Sequence, residues 1–310
     1  KHDSKNYKSA SSTFRQETHR SVLKRLATNK THGPIPGWRG DIADIPFGDC
    51  AINPMGAVQY KYEPWRARAC DDMICNTDIT APYFTQPALQ QIRDRSYPGC
   101  SYAKCDIDAA FPVMTLKPDD LPWMCFTWYH PDDTDFKGSD RDCLYVHTNG
   151  NFGPRTLPYQ FTMLMLYVNI AGMALGLQAP AAFIDDNIHV GDAPDLESQL
   201  PRYYEHLRRA GMPDKLAKRY GCFYRGDVLG RWFDSIAFTI SIPQDKITRL
   251  SSMLETIMTD SRMTYHDTQV LTGYYEFCST VLPTFMKAFM FTTRSFSKQI
   301  RDQSKHHSSW

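Results

Sequence analysis

Two adjacent carboxylates, Asp185 and Asp186, stand in the middle of a mostly apolar run, residues 181–191. A third acid, Asp106, lies in another segment rich in apolar side chains. Burying an ionised carboxylate among hydrophobic side chains is so costly that proteins avoid it unless a cation compensates the charge. The fold must therefore leave these acids in water or bring positive charge to them, and a pair of Mg2+ ions would supply that charge.

The run 181–191 is too short for a helix with acids in its middle and predicts a β-hairpin. A solvated turn is one explanation of the acid pair, because Asp favours turns. The apolar neighbours favour another explanation, in which adjacent strands of one sheet bring Asp106 beside Asp185 and Asp186. Two Mg2+ ions about 4 Å apart stabilise the attacking and leaving oxygens of an in-line phosphoryl displacement. The three acids are therefore candidate ligands for nucleotidyl transfer.

Composition and cysteine usage narrow the class of protein. The chain has 310 residues, of which 42% are hydrophobic, enough for packed cores in two or three domains. Its nine cysteines are odd in number and scattered, which is typical of reduced thiols inside a cell, whether in the nucleus, the cytoplasm or an organelle. The pairs Cys70/Cys75 and Cys100/Cys105 leave zinc open as an alternative to buried structural cysteine, although their gaps are long for zinc ligands.

The uncharged run 161–184 is long enough to raise the question of a membrane span. Polar residues and a proline interrupt it, and the acid pair follows at once: Thr162, Asn169, Gln178 and Pro180. It predicts a buried helix followed by a buried strand, and no secretory signal opens the chain. No membrane partner is expected.

Charge is unevenly distributed along the chain. The net charge is +1, but residues 1–30 carry a local +6 and residues 293–310 a local +3, which leaves about −8 between them. That distribution is not the even basic coat of a general nucleic-acid binder. Phosphate contacts are therefore expected to be local, or to come from the termini or from a partner.

The order of breakers and periodic segments predicts the organisation of the chain. Residues 1–36 are polar and basic up to a Gly/Pro-rich run, which predicts a flexible arm with a short helix around residues 21–26. The other segments predict, in chain order, a hairpin of 56–61 and 65–69, a helix after Pro158, a helix over 196–207 closed by Gly211, strands 228–233 and 238–242 turned at Asp234-Ser235, and two helices after Pro243.

Five motifs in this order resemble those of reverse transcriptases: Asp106 followed by Phe111, the box 152–161, the acid box Phe183-Ile-Asp-Asp186, Gly211-Met-Pro with Lys218, and Val228-Leu-Gly230. Further stretches, 52–58, 240–246 and 269–273, are similar to segments of the same family. The sequence thus resembles the reverse transcriptases of DIRS-type retrotransposons, with Ty3-like elements as related members, over roughly residues 34–296.

The resemblance implies an α+β right-hand polymerase. Its expected parts are fingers over residues 37–104, a palm of split βαβ type over 105–243 with a fingers insertion at about 112–150, and a helical thumb-like segment with a basic tail over 244–310. The implied activity is RNA-directed DNA polymerisation, which adds dNTPs to a primer 3′-hydroxyl. The implied partners are an RNA template and a DNA primer, and the implied cofactor is Mg2+, as two ions.

The resemblance also assigns roles to residues at the implied reaction centre. Asp106, Asp185 and Asp186 would be catalytic and hold the metals. Phe111 would lie beneath the incoming sugar as a steric gate, or else be an ordinary core aromatic. Lys218 would donate a proton to pyrophosphate, or else be a surface lysine.

The remaining assigned residues bind nucleotide or primer. Lys61 and Arg68 would grip the triphosphate, with Arg66 as the alternative arginine. The further assignments are Gly153 and Arg155 facing template or nucleotide, and Leu229 and Gly230 forming the primer grip.

Acidic residues outside the motifs support an alternative function. The loop 130–142 carries five aspartates and would repel nucleic acid if it faced the cleft. Together with the acidic body, it suits a retrotransposon-derived protein co-opted as a structural subunit of a larger RNA–protein assembly, without polymerase activity and tethered by its basic termini.

Overall fold

A computed structural model describes residues 12–33, 35, 52–53, 55–59, 67–71, 88–128, 144–154, 156–260 and 264–281, with isolated positions 291, 295 and 298. Its helices are α1 (Ser12–Ala27), α2 (Ala88–Arg95), α3 (Leu157–Ala174), α4 (Ala193–Arg209), α5 (Gln244–Asp260) and α6 (Tyr265–Ser279). Its first strands are β1 (Thr31–His32), β2 (Ile52–Asn53), β3 (Met55–Gln59), β4 (Ala67–Asp71), β5 (Ser101–Asp106), β6 (Cys125–Thr127) and β7 (Leu144–His147). The later strands are β8 (Ala181–Phe183), β9 (Asp186–Gly191), β10 (Tyr220–Phe223), β11 (Arg225–Val228), β12 (Arg231–Asp234) and β13 (Thr239–Ser241). The mixture of helices and sheets confirms the expected α+β class.

The strands form four sheets within the described residues. The orders are β1-β7-β6-β2, β10-β5-β9-β8, β11-β12-β13 and the hairpin β3-β4. Only the pair β2 and β6 is parallel among the pairs whose register is resolved. The β3-β4 hairpin and the β8-β9 hairpin both match the sequence prediction, the former two residues further along in its second strand.

The chain forms two compact units. One comprises residues 1–90, 104–189 and 198–219, and the other residues 91–103, 190–197 and 220–310. The four-part division expected from the sequence stays a prediction.

Helix α3 lies at the centre of the main core of the first unit. Its apolar residues recur at spacings of three and four, so one helical face is apolar and buried. That face carries Leu157, Phe161, Met165 and Val168. It packs with residues of β5, of the segment that follows β5, and of α4: Cys105, Ile107, Phe111, Tyr203 and Leu207. The helix predicted after Pro158 is therefore present, and it supports the strand that ends at Asp106.

Helix α1 differs from the flexible arm expected over residues 1–36. Thr18 and Val22 are fully buried, and Val22 packs against a second core cluster that contains Phe126 and Tyr145. Residues 12–27 of this segment form a helix because its few apolar residues pack against the aromatic side chains of that cluster. Residues 1–11 lie outside the described residues.

The strands of the second unit also differ from prediction. A single strand was expected over residues 228–233, but Leu229 and Gly230 form a turn between β11 and β12. Both residues have positive φ, 51° and 76°, as a two-residue hairpin turn of type I′ requires. The apolar run is interrupted because the chain reverses there, and a third strand, β13, completes the sheet.

Candidate active site

Hydrogen bonding between two strand ends brings three acids together. Asp106 is the last residue of β5, and Asp186 is the first residue of β9. The backbone N–H of Ile107 donates to the carbonyl oxygen of Asp185 at 3.0 Å. Asp106, Asp185 and Asp186, here called the aspartate cluster, therefore lie side by side in the first unit, as the sequence predicted.

A strained turn presents Asp185 and Asp186. Phe183 pairs with Asp186, so Ile184 and Asp185 are the two residues of a tight hairpin turn. Ile184 has φ of 53°, which costs a β-branched residue about 1–3 kcal/mol. Its side chain packs against the main core, and this contact holds it in place. The carboxylates consequently project from a turn whose backbone is fixed rather than free.

The electrostatics of the cluster show an excess of negative charge. Burial raises the pKa of Asp186 from 3.8 to about 6, and the charges of Asp185 and Asp106 act in the same direction. Lys218 and Lys104 act in the opposite direction without cancelling the increase. A cation placed here would therefore favour the ionised form of Asp186.

Lys218 forms an ion pair with Asp106. It ends a short 3-10 helix, Leu216–Lys218, and the loop before it is attached to β5 because Lys215 N–H donates to the carbonyl oxygen of Asp106 at 2.8 Å. Burial lowers the pKa of Lys218, but the hydrogen bond to Asp106 and the charges of the aspartate cluster outweigh it, and the net effect is a raised pKa. Lys218 is thus half exposed and paired with Asp106, and its role as a proton donor stays a prediction.

A second ion pair beside the cluster was not predicted from the sequence. Asp214 is buried and accepts two hydrogen bonds from the guanidinium of Arg219, that from Nη2 at 2.7 Å. The same guanidinium lies 4.0 Å from the centre of the Tyr204 ring. This arrangement fastens the segment that carries Lys218 to α4, and its only sequence signal is an acid and a base that flank the Lys218 motif.

Phe111 is a buried core aromatic in this structure. Its ring meets Phe152 and Phe161 edge to face, with centroids 5.1 and 6.0 Å away. A Cβ atom at Gly150 would lie 2.5 Å from the carbonyl oxygen of Phe111, so only glycine fits there. The backbone of Phe111 is thereby fixed next to the strand end that carries Asp106, and its role as a steric gate stays a prediction.

The expected nucleotide-binding residues are described unevenly. Gly153 is exposed before α3 and has φ of 138°, which favours glycine. Arg68 lies in β4 and pairs with Val58, while nothing is described of its side chain. The others, Lys61, Arg66 and Arg155, lie outside the described residues, as do the whole acidic loop 130–142 and Cys75.

Leu229 and Gly230, the expected primer grip, belong to the second unit. Their turn is held by Arg231, whose Nη1 donates to the carbonyl oxygen of Leu229 at 2.7 Å. The Arg231 guanidinium also lies 4.2 Å from the centre of the Phe277 ring in α6, and its Nε donates to Thr280 Oγ1 at 2.9 Å. Arg231, which sequence reasoning missed, therefore joins this turn to the end of α6.

The oxygen donors of the aspartate cluster fit Mg2+. Within the described ranges, no group of three or more His, Cys, Asp or Glu side chains is arranged to hold a metal ion by itself. Mg2+ takes one or two carboxylates and completes its coordination with water and substrate phosphates, so a complete protein cage is not needed. Burial and the neighbouring acids raise the pKa of Asp186, and a bound cation would favour its ionised form. Cys100 and Cys105 of the zinc alternative are buried free thiols.

Comparison with known proteins gives matches among solved structures only. No protein-family model and no curated protein matches the sequence. The dRH form of a foamy viral protease–reverse transcriptase in complex with double-stranded DNA is similar with a TM-score of 0.63 and 15% identity, over 90% of this chain and 43% of that chain. A foamy viral protease–reverse transcriptase in complex with double-stranded DNA has a TM-score of 0.61 and 14% identity, over 91% of this chain and 52% of that chain. A foamy viral protease–reverse transcriptase in complex with an RNA/DNA hybrid has a TM-score of 0.57 and 15% identity, over 80% of this chain and 30% of that chain.

The chain thus spans about half the length, or less, of the structures it matches. Among the residues that the structure describes, no helix has both the length and the apolarity to cross a bilayer. At this level of identity the similarity establishes the fold, and it confirms the expected right-hand polymerase class. The chain has a reverse-transcriptase-like fold.

Proposed function

We propose that the chain is the core of an RNA-directed DNA polymerase that transfers nucleotides from dNTPs to a primer 3′-hydroxyl. The observation that carries the proposal is the hydrogen bond from Ile107 to Asp185, which places Asp106 beside the acid pair at one end of a sheet. This constellation in a reverse-transcriptase-like fold supports nucleotidyl transfer more directly than the fold alone does.

In the proposed reaction the primer 3′-hydroxyl loses its proton to water as its oxygen forms a bond to the α-phosphorus of the dNTP, and the bond from that phosphorus to the bridging oxygen of pyrophosphate breaks. Mg2+ held by Asp106, Asp185 and Asp186 would stabilise the charge on the attacking and leaving oxygens. The raised pKa of Lys218 keeps its amine protonated at neutral pH. Lys218 is therefore suited to neutralise, or to donate a proton to, the leaving pyrophosphate.

The proposed partners follow from the same reasoning. The foamy viral structures with double-stranded DNA and with an RNA/DNA hybrid support a duplex of primer and template as the nucleic acid bound here. The proposed triphosphate contacts are Lys61 and Arg68, with Gly153 and Arg155 near the template or nucleotide. Leu229 and Gly230 are proposed to hold the primer end, and Phe111 to exclude ribonucleotides.

Primer extension with purified protein tests the proposal. Wild-type protein with Mg2+ and dNTPs should extend a DNA primer on an RNA template, and Asp185→Asn combined with Asp186→Asn should lower the rate by at least 1,000-fold, the range of large electrostatic effects in catalysis. The matched control is Asp119→Asn combined with Asp120→Asn, an exposed adjacent pair in the same unit, which should retain activity. Failure of the wild type on RNA and DNA templates alike would overturn the proposal.

A second candidate function is supported by the ion pair between Lys218 and Asp106. Because the chain itself supplies a cation to the buried Asp106, the site is partly neutralised without metal. The alternative is a co-opted structural subunit of a larger RNA–protein assembly. It predicts that the protein co-purifies with a large RNA after the double replacement of the acid pair. Replacing Lys1, Lys5 and Lys8 with Gln should abolish that association, a test that leaves the packed helix α1 intact.

A further inference from the structure

Asn187 is a buried polar residue that directly follows the acid pair. It is the second residue of β9 and is fully buried. Among the residues that the structure describes, none donates a hydrogen bond to its side-chain oxygen, Oδ1. A leucine has nearly the same shape and would leave no buried oxygen unpaired, so packing alone does not account for an amide at this position.

The nitrogen of the same amide contacts the hairpin turn. Asn187 Nδ2 donates to the backbone carbonyl oxygen of Asp185 at 3.4 Å, and the backbone N–H of Ile107 donates to the same oxygen at 3.0 Å. A carbonyl oxygen has two lone pairs and can accept both hydrogen bonds. The oxygen is therefore held both from the end of β5 and from within its own hairpin.

The peptide that carries this oxygen joins the two acids. The orientation of its plane depends on ψ of Asp185 and φ of Asp186, and these angles set the directions in which both side chains leave the backbone. The neighbouring Ile184 has the strained φ of 53°, so a rotation that relaxes the turn would be favourable at that residue. A second donor on the carbonyl oxygen opposes such a rotation.

The side chain of Asn187 lies on the face of β9 opposite to that of Asp186. Successive strand residues point to opposite faces, so Asn187 shares its face with His189. The His189 ring packs against the Tyr203 ring of α4, with 4.6 Å between the centroids. Asn187 is therefore placed to affect a metal held by the carboxylates through the backbone of the turn, and not as a ligand.

We propose that Asn187 is a positioning residue of the aspartate cluster: its amide holds the peptide between Asp185 and Asp186 and thereby sets the directions of their carboxylates. The part of this inference that concerns metal affinity rests on the proposed function. Hydrogen-bonded partners of metal ligands typically contribute about 10-fold to 100-fold to metal affinity. This role requires the donor and not the oxygen of the amide, which explains why the oxygen is left unpaired.

Amide hydrogen exchange of the full chain tests the hydrogen bond directly. The variant is Asn187→Leu, which keeps the shape of the side chain and removes its donor. The N–H of Ile107 donates to the held oxygen, whereas the next N–H, that of Asp108, donates to the carbonyl oxygen of Pro213 at 2.9 Å. Exchange at Ile107 should become about fivefold faster, and exchange at Asp108 should not change. Equal acceleration at both amides, or none at Ile107, overturns the inference.

Binding of Mn2+ alone, followed by its electron paramagnetic resonance signal, tests the consequence for the carboxylates. Mn2+ takes the same kinds of oxygen ligand as Mg2+. The dissociation constant of Asn187→Leu should be about tenfold higher than that of the wild type, and an unchanged constant overturns the positioning role. A wild type that binds no Mn2+ contradicts the proposed function instead, and the exchange experiment then decides the inference by itself.

Asn169→Leu is the matched control, because Asn169 is a second buried asparagine of the same unit whose side-chain oxygen is paired. Its Oδ1 accepts a hydrogen bond from the Tyr203 hydroxyl at 2.9 Å. Asn169→Leu should lower the urea midpoint of unfolding, because the hydroxyl loses its acceptor. It should leave the affinity for Mn2+ and the ratio of the exchange rates at Ile107 and Asp108 unchanged.

Stability separates positioning from a purely structural role. Asn187→Leu should lower the urea midpoint less than Asn169→Leu does, since it removes an unpaired oxygen together with the donor. An equal loss would make Asn187 a structural residue and overturn the inference. If circular dichroism shows that Asn187→Leu misfolds, Asn187→Ala replaces it, with the same expected change in the ratio of exchange rates.

Discussion

The ammonium group of Lys218 forms an ion pair with the carboxylate of Asp106, 112 residues earlier in the chain. Asp106 is nearly buried, whereas the Lys218 side chain is half exposed, so the acid depends on the pair more than the lysine does. The ammonium group is bonded to Asp106, and its charge also acts on Asp185 and Asp186.

Removal of the Lys218 charge should destabilise the metal-free protein. In Lys218→Gln the Asp106 carboxylate loses its cationic partner, and the free energy of unfolding should fall by about 1 kcal/mol, a value reduced for the exposure of the lysine. Urea unfolding in EDTA measures it. Lys215→Gln removes the same charge from the same loop, where it is exposed, and should have little effect. If Lys215→Gln and Lys218→Gln lower the free energy of unfolding equally, the ion pair between Lys218 and Asp106 does not stabilise the protein.

The pKa of Asp186 predicts a pH-dependent loss of stability. Because folding raises this pKa from 3.8 to about 6, the folded protein binds the proton more tightly than the unfolded chain does. The free energy of unfolding should therefore fall as the pH rises from 3.8 to about 6, with the loss fully present above that range. Asp186→Asn abolishes this contribution. At neutral pH its free energy of unfolding should be about 2 kcal/mol higher than that of the wild type, and below pH 4 this difference should disappear.

Unfolding in EDTA at several pH values checks this pattern. Asp120→Asn, which removes an exposed carboxylate of the same unit, is the control. Addition of Mg2+ should reduce the advantage of Asp186→Asn, because a bound cation favours the carboxylate. A constant difference between variant and wild type across the pH range would refute the prediction.

The buried Asp214 should make Arg219 important for stability. Arg219→Ala removes the bidentate partner of an inaccessible carboxylate and the contact with Tyr204, and should cost about 2 kcal/mol. Arg219→Lys should recover only part of this, since lysine cannot form the bidentate contact. Arg209→Ala breaks an exposed ion pair with Glu205 on α4 and serves as the control, with little expected change. If Arg209→Ala lowers the free energy of unfolding as much as Arg219→Ala does, burial of the Asp214 carboxylate is not the cause of the loss.

The turn at Leu229 and Gly230 should not tolerate a side chain at its second position. Gly230→Ala places a Cβ at φ of 76° and 3.4 Å from the Phe277 ring, and should cost about 1 kcal/mol. Gly221 has ordinary φ and open space around it, so Gly221→Ala should cost less. Thermal unfolding midpoints of the two variants distinguish a requirement for positive φ from a general effect of replacing glycine in this sheet region.

Phe111 should affect both packing and sugar discrimination if it is the steric gate. Phe111→Val should lower stability by about 2 kcal/mol and raise ribonucleotide incorporation relative to deoxynucleotide incorporation. Phe161→Val is the matched control, because it removes the ring that packs against Phe111. It should lose similar stability without changing the preference for deoxynucleotides. Unchanged preference in Phe111→Val would leave it a core aromatic only.

Strong local periodicity made much of the fold predictable. The hairpin over residues 181–191, the long apolar helix α3 and the pair of helices after Pro243 were all visible because period and breakers agreed. The adjacency of Asp106 to Asp185 followed from placing acids at strand ends. These predictions needed no knowledge of distant packing.

The elements that were missed or predicted too short depend on tertiary contacts. The sequence predicted a helix only around residues 21–26 of α1, because this segment has few apolar residues and only contact between Val22 and a distant aromatic cluster shows its buried side. The Leu229-Gly230 turn lies inside an apolar run, which by itself favours a strand. Asp214 and Arg219 pair across five residues of non-helical chain, a spacing with no regular geometry to predict it.

Antiparallel pairing of Thr127 with Leu144 has a consequence for evolution. Because these residues are neighbours, the sequence between them starts and finishes at one place on the sheet. The closure entropy of such an excursion grows only slowly with its length. A lineage can lengthen, shorten or recharge this segment while the paired strands keep their register, so the aspartate-rich stretch is a place where new binding surfaces arise without rebuilding the part of the first unit that carries the aspartate cluster.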